Sequence, residues 1–105
     1  MNENVLFEQI VQFVQNERWD GMYNRRTELL NDLKLWGDDA YEFIVAFSKK
    51  FNVDISEFDF DKYFYPEGDR ILSAILDFVL RRKRPAKVKI TLADLERAVK
   101  IRKLV

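Results

Sequence analysis

The sequence contains neither cysteine nor histidine. These absences exclude disulfide bridges, zinc sites built from Cys and His, thiol nucleophiles and catalytic arrangements that pair a serine or cysteine with a histidine. Glycine and proline are scarce, with three and two copies, so the chain has little material for β-turns. Helices joined by loops are the expected architecture, and we predict an all-α fold.

Long apolar runs are also missing. No stretch reaches the length that a transmembrane helix requires. The first segment, MNENVLFEQIVQFVQNER, lacks the basic start and the unbroken apolar core of a signal peptide. We therefore expect a cytoplasmic protein with no membrane partner.

The composition is that of one folded domain. With 105 residues, 48% hydrophobic and 34% charged, the chain is long enough to bury one modest core. We predict a single domain over residues 1–105, and we expect a monomer.

The net charge of zero conceals two oppositely charged parts. Residues 1–80 carry 16 Asp/Glu and 8 Lys/Arg, whereas residues 81–105 carry 10 Lys/Arg and 2 Asp/Glu. An acidic body with a basic end indicates either internal neutralisation or two different binding surfaces.

Apolar periodicity predicts long helices over residues 3–17, 37–51, 69–82 and 91–101, with a short helix near 59–64. The second helix has the clearest pattern, because acidic residues open it and lysines close it, as the helix dipole favours. Thr91 and Asp94 have the spacing of a capping box at the start of the last helix. The KVKI segment before it alternates like a strand but has no partner, so an extended loop is expected. The apolar line of the second helix consists of Ala40, Ile44, Phe47 and Phe51, with Phe43 beside it.

The connection between the first two helices has no sustained period. A long connection inside a small domain needs apolar anchors. The candidates are Leu29, Leu30, Leu33 and Trp36.

Residues 32–55, DLKLWGDDAYEFIVAFSKKFNVDI, resemble the second-helix region of the acyl carrier protein family. The matching pieces are Asp32-Leu33, Glu42-Phe43-Ile44-Val45 and Phe51-Asn52-Val53-Asp54-Ile55. The chain also resembles small bacterial proteins of unknown function, regarded as acyl-carrier-like, in which GDDA and a later F-x-V-D recur. The resemblance implies an acyl-carrier-like helical bundle, in which residues 66–89 insert an additional helix before the last one.

The sequence departs from that family at the residue that carries its chemistry. The family attaches phosphopantetheine to a serine, and alignment places that serine on Gly37, between Trp36 and Asp38. Glycine has no hydroxyl, so we expect no cofactor there. The alternative is a genuine carrier modified at another serine, for which the chain offers Ser48, Ser56 and Ser73.

Two charged segments are candidate partner-binding sites. Asp38, Asp39 and Glu42 form an acidic surface that suits a basic partner, although acids at a helix start also simply compensate the dipole. The basic segment RRKRPAKVK could bind an acidic protein surface or simply be the solvated end of a helix. Nucleic acid is an alternative ligand for it. The basic candidates are Arg81, Arg82, Lys83 and Arg84.

No arrangement of residues indicates catalysis or a metal site. Asp38 and Asp39 are sequence neighbours that point in different directions on a helix, and Asp59 and Asp61 lie in a short turn. The aromatic cluster that follows suits either a ligand pocket or a small core cap, and the core cap is favoured. That cluster consists of Phe58, Phe60, Tyr63, Phe64 and Tyr65.

Taken together, these patterns predict a non-enzymatic protein-interaction module without a prosthetic group. Its partner is an unidentified protein, and we expect no nucleic acid ligand. The alternative functions are a carrier modified at another serine and a regulatory protein that binds nucleic acid through its basic C-terminal segment.

Overall fold

The computed structural model describes residues 3–64 and 87–105. In these two ranges the chain forms four helices and no strand, so the all-α prediction is confirmed. Their bounds lie within one residue of the prediction at the three long helices. The predicted helix over residues 69–82 falls outside the described part, as does the predicted insertion apart from residues 87–89, which are not helical. The helices are α1 (Glu3–Glu17), α2 (Gly37–Phe51), α3 (Phe60–Tyr63) and α4 (Leu92–Ile101).

Aromatic packing joins α1 to α2. The ring of Phe13 on α1 lies 5.2 Å from that of Phe43 and 6.1 Å from that of Phe47, both on α2. It also meets Phe51 edge-on at 5.8 Å. Tilted and edge-on rings at these distances add to the stabilisation from area burial alone.

The apolar line of α2 faces the core, as predicted. Ile44 and Phe47 are fully buried, and Ala40 and Phe43 are nearly so. Only Phe51, at the end of the helix, is half-buried. Asn52 caps the end of the helix: its backbone is left-handed (φ 55°), and its N–H donates to the carbonyl of Ser48.

The connection over residues 18–36 is not a helix, and it reaches the core through a few of its side chains. Leu29 and Leu33 are fully buried and Leu30 is half-buried, in agreement with the prediction. The predicted fourth anchor, Trp36, is wrong: it is 37% exposed, and the fully buried residue is its neighbour Leu35. The positive φ of Lys34 (56°) redirects the chain just before this point.

Backbone hydrogen bonds fasten the connection to the chain that enters α4. The N–H of Leu29 donates to the carbonyl of Ile90 at 2.9 Å. In return, Leu92 donates to Thr27 at 3.1 Å and Ala93 donates to Arg25 at 3.1 Å. These bonds satisfy buried polar groups that would otherwise be costly to remove from water.

The predicted capping box opens α4. The carboxylate of Asp94 accepts the backbone N–H of Thr91 at 2.9 Å and its hydroxyl at 3.2 Å. Residues 87–90 before it form no strand, as expected. After α4 the chain pairs with residue 54: Asp54 donates to Arg102 at 3.0 Å, and Leu104 donates to Asp54 at 2.9 Å.

One hydrophobic core unites these elements. Helix α1 packs against α4, and the buried leucines of the connection belong to the same core. Within residues 3–64 and 87–105, no helix has the length and apolar character needed to cross a membrane. The fully buried large side chains are Ile10, Val14, Leu29, Leu33, Leu35, Ile44, Phe47, Leu92 and Leu95.

Truncating the apolar line of α2 should destabilise the whole domain. We expect Ile44→Ala and Phe47→Ala each to lower the free energy of unfolding by about 2–5 kcal/mol, because each leaves a cavity in a fully enclosed site. The matched control is Lys49→Ala on the exposed side of the same helix, which should change it by less than about 0.5 kcal/mol. Urea unfolding measures the free energy of unfolding of all three variants. Losses below about 1 kcal/mol for both core variants would contradict this packing.

Candidate functional site

The start of α2 has an unusual backbone for a helix entry. Trp36 is extended (φ −134°, ψ 148°) and supplies no side-chain cap, and Gly37 follows with a φ of 53°. Only glycine adopts this left-handed region without a steric cost. Gly37 therefore has a structural reason to be glycine, besides its lack of a hydroxyl.

Arg18 ties the end of α1 to this entry. Its Nε donates to the carbonyl of Leu33 at 3.0 Å and one terminal nitrogen donates to that of Lys34 at 3.3 Å. The other terminal nitrogen lies 3.8 Å from the carboxylate of Asp39. One guanidinium group thus holds the residues just before α2 and one acid in its first turn.

The three predicted acidic residues have different surroundings. Asp38 and Glu42 are exposed and stand four residues apart, so they share one face of α2. Asp39 points toward Arg18 but keeps 64% of its side chain exposed. The structure therefore brings Asp38 and Glu42 together and draws Asp39 toward α1.

Two exposed aromatic residues accompany this acidic face. Tyr41 lies between the two acids on the same face and is 57% exposed. Trp36, which precedes the helix, is 37% exposed. The ring of Tyr41 lies 5.4 Å from that of Phe60 on α3, which steadies it. The sequence analysis predicted Trp36 to be a buried anchor and did not select Tyr41. The signal for Tyr41 was its position outside the apolar line of α2, which places a large aromatic side chain on the exposed side of the helix. We call Trp36, Asp38, Tyr41 and Glu42 the α2 surface.

The aromatic cluster after α2 belongs to the core. Phe58, Tyr63 and Phe64 are buried, and Phe58 stacks on Tyr63 with ring centres 5.1 Å apart. Phe60 is half-buried and meets Phe58 edge-on at 4.8 Å. Tyr65 lies outside the described residues. These contacts are those of a core cap beneath a short helix.

The basic candidates Arg81, Arg82, Lys83 and Arg84 lie outside the described residues. The end of their segment is held against α3: the N–H of Val88 donates to the carbonyl of Lys62 at 3.1 Å, and the ammonium of Lys87 donates to the carbonyl of Asp61.

A bidentate ion pair joins the connection to α4. Arg25 Nε lies 2.9 Å from Glu96 Oε1, and its Nη2 lies 3.1 Å from Oε2. Glu96 is buried, and the Arg25 guanidinium also lies 4.4 Å above the ring centre of Phe7. Such two-point pairs are the strongest kind of protein hydrogen bond. The partners are 71 residues apart, and no local pattern indicates the pair.

Charged side chains also lie where the chain after α4 pairs with residue 54. The Ser56 backbone N–H, and then its hydroxyl, lower the pKa of the Asp54 carboxyl from its ordinary value. The hydrogen bond to Glu57 raises the pKa of the Lys103 ammonium, whose Nζ lies 2.6 Å from Glu57 Oε2. These groups reinforce the backbone pairing between residues 54 and 102–104.

The two described serines outside the helix entry have local structural partners. Ser48 donates its hydroxyl to the carbonyl of Val53 at 2.5 Å, closing the end of α2. Ser56 is exposed, and its N–H donates to Asp54 at 2.9 Å. Ser73 lies outside the described residues.

The backbone of Gly37 gives a direct test of the helix entry. We expect Gly37→Ala to lower the free energy of unfolding by about 1–2 kcal/mol, because a Cβ is disfavoured in the left-handed region. Gly37→Asn should cost less, since asparagine adopts this conformation more readily than alanine. Thermal or urea unfolding of the two variants provides the comparison. Equal stability of Gly37→Ala and the parent chain would contradict the assigned conformation.

Removing one side of the Arg25–Glu96 pair should be costly. We expect Arg25→Met to lower the free energy of unfolding by about 1–3 kcal/mol, because it leaves a buried carboxylate without its donor. The double variant Arg25→Met/Glu96→Met should lose less than the sum of the two single variants. The control Arg26→Met alters an exposed neighbour and should shift stability by less than about 0.5 kcal/mol. Additive losses in the double variant would mean that the two side chains do not interact.

No curated protein and no solved structure matches this chain. A family model does: the one described as protein of unknown function DUF1493 matches residues 4–103. No acyl carrier protein family is found, so the assignment to that family from residues 32–55 is wrong.

The reason for the error lies in what that segment contains. An acidic first turn, an apolar stripe and a basic last turn describe any amphipathic helix that complements its dipole, so they do not distinguish one family from another. The serine that would distinguish a carrier is replaced by Gly37, whose backbone conformation is needed at the start of α2.

The DUF1493 model matches residues 4–103, which is nearly the whole sequence. The chain therefore belongs to the DUF1493 family of proteins of unknown function.

Proposed function

We propose that this chain is a non-enzymatic protein-interaction module that docks a basic partner through the α2 surface. The observation that carries the proposal is the exposure of two large aromatic side chains, Trp36 and Tyr41, beside the exposed carboxylates of Asp38 and Glu42. Aromatic residues are enriched among the side chains that dominate binding energy at protein interfaces.

The acids and the aromatics have separate tasks in this proposal. Asp38 and Glu42 attract a basic surface over several ångströms and raise the rate of encounter. Trp36 and Tyr41 then bury apolar area and supply most of the affinity. Asp39 adds to the field, but Arg18 at 3.8 Å offsets part of its charge.

The backbone beneath the α2 surface supports a preformed site. Arg18 donates hydrogen bonds to the carbonyls of Leu33 and Lys34, two to three residues before Trp36, and the Tyr41 ring packs against that of Phe60. A surface that is already in its binding conformation loses less entropy on association.

The remaining features of the proposal follow the sequence. The protein acts as a monomer in the cytoplasm and uses no cofactor. The basic residues Arg81, Arg82, Lys83 and Arg84 provide a second contact for an acidic partner surface.

The test is comparative affinity capture from the native host, with the immobilised full chain and its variants. The parent chain should retain a basic protein that the double variant Trp36→Ala/Tyr41→Ala loses by at least about tenfold, since truncated hot spots cost about 2 kcal/mol or more. The charge variant Asp38→Asn/Glu42→Gln should bind more slowly and with less dependence on salt.

The matched control is Glu8→Gln/Glu17→Gln, which removes the same charge from exposed positions of α1 and should leave capture unchanged. Equal capture by the parent and both α2 variants would overturn the proposal. Retention that disappears after nuclease treatment would instead favour nucleic acid binding.

A further inference from the structure

A second surface of opposite charge lies beside α4. A cleft of about 290 Å³ opens between residues 87–90, α4 and the chain that follows it. Its floor is apolar and buried, formed by Ile90, Ala98 and Leu104. Its lips are apolar and exposed: Val88 at 47%, Ile101 at 62% and Val105 at 54%.

The charged groups around the cleft are mostly basic. Lys89, Arg97 and Lys103 line it, and Asp94 has the one acidic side chain among the residues that line it. Asp94 is engaged by Thr91 in the capping box, and Lys103 pairs with Glu57 at 2.6 Å. Lys89 and Arg97 are exposed and form no ion pair within the described part of the chain. The cleft therefore presents two uncompensated cations beside an apolar floor.

The walls of the cleft are fixed by hydrogen bonds. The carbonyl of Ile90 accepts from Leu29 at 2.9 Å, and the N–H of Leu104 donates to Asp54 at 2.9 Å. The hydroxyl of Tyr63 donates to the carbonyl of Val105, also at 2.9 Å. Three separate parts of the chain thus fix the residues that line the cleft.

From this combination we infer that the cleft binds an acidic amphipathic segment of a protein partner. Apolar side chains of that segment bury against Val88, Ile101 and Val105, while its carboxylates meet Lys89 and Arg97. The volume is at the lower limit for small-molecule pockets, which favours one or two side chains of an extended ligand over an enclosed metabolite.

Charge complementarity selects this occupant over others. A nucleic acid would meet cations here, but the exposed lips are aliphatic and provide no stacking platform. A basic peptide would face Lys89 and Arg97 directly, and like charges at an interface are strongly unfavourable. An acidic segment with aliphatic side chains can place its carboxylates beside Lys89 and Arg97 and bury its apolar groups on the floor of the cleft. The inference does not depend on the α2 surface, which shares no residue with the cleft.

The experiment selects ligands from a displayed library of random peptides on the full-length chain. The peptides enriched should combine Asp or Glu with Leu, Ile or Phe. Fluorescence anisotropy with one enriched peptide then measures the affinity of variants. Ile101→Asp should weaken binding by about tenfold or more, since it places a charge among apolar contacts. Arg97→Glu should weaken it severalfold and should reduce its salt dependence.

Three controls keep the result specific. Val5→Asp places the same charge on an exposed apolar residue of α1, and Arg26→Glu reverses an exposed charge outside the cleft; both should bind like the parent chain. Trp36→Ala should also bind normally, so that failure at one surface is distinguishable from failure at the other. Arg97→Gln provides a milder variant if Arg97→Glu lowers stability, and it should still weaken binding.

Several outcomes would overturn the inference. These are enrichment of basic or purely apolar peptides, absence of enrichment, or binding that survives both Ile101→Asp and Arg97→Glu. Sedimentation of the parent chain as a dimer that Ile101→Asp converts to a monomer would assign the cleft to a second copy instead.

Discussion

The structure depends on one constraint: the connection over residues 18–36 is neither helix nor strand, yet it must bury several of its side chains in the core. Leu29, Leu33 and Leu35 are fully buried in the core that the helices share, so the backbone polar groups beside them have limited access to water. Those groups need partners, because an unpaired buried amide or carbonyl costs as much as a lost hydrogen bond. Residues 90–93 supply them through the bonds of Leu29, Leu92 and Ala93.

The same connection positions both proposed surfaces. At its N-terminal end, Arg18 fixes the backbone that leads into Gly37 and thereby the direction in which α2 presents Tyr41. In its middle, the bond from Leu29 to Ile90 holds the wall of the basic-rimmed cleft. A change in the connection is therefore expected to disturb two surfaces that share no residue.

The long helices were predictable because each carries its own signal. The apolar period of α2 and the capping box of Thr91 and Asp94 are local patterns that depend on a few neighbouring residues. The connection was less predictable, since Leu35 and Trp36 are both large and apolar. The choice between them depends on the positive φ of Lys34, which no period in the sequence indicates.

The candidate site was predictable only in part. Asp38 and Glu42 were identified from charge, but the position of Arg18 beside Asp39 arises from the packing of α1 against the rest of the fold. The Arg25–Glu96 pair and the cleft combine residues from distant parts of the chain. Contacts of that kind leave no mark in a single sequence. The resemblance to carrier proteins failed for a related reason, because it relied on features that amphipathic helices share.

Native-state hydrogen exchange tests the central claim that the buried part of the connection is integral to the core and does not open as a surface loop. The amides of Leu29, Leu35 and Leu92 are bonded across or within the connection. They should exchange only through global unfolding, with the same free energy as the amides in the middle of α2. Exchange of these three amides as fast as that of Met22, which is fully exposed in the same connection, would contradict the account.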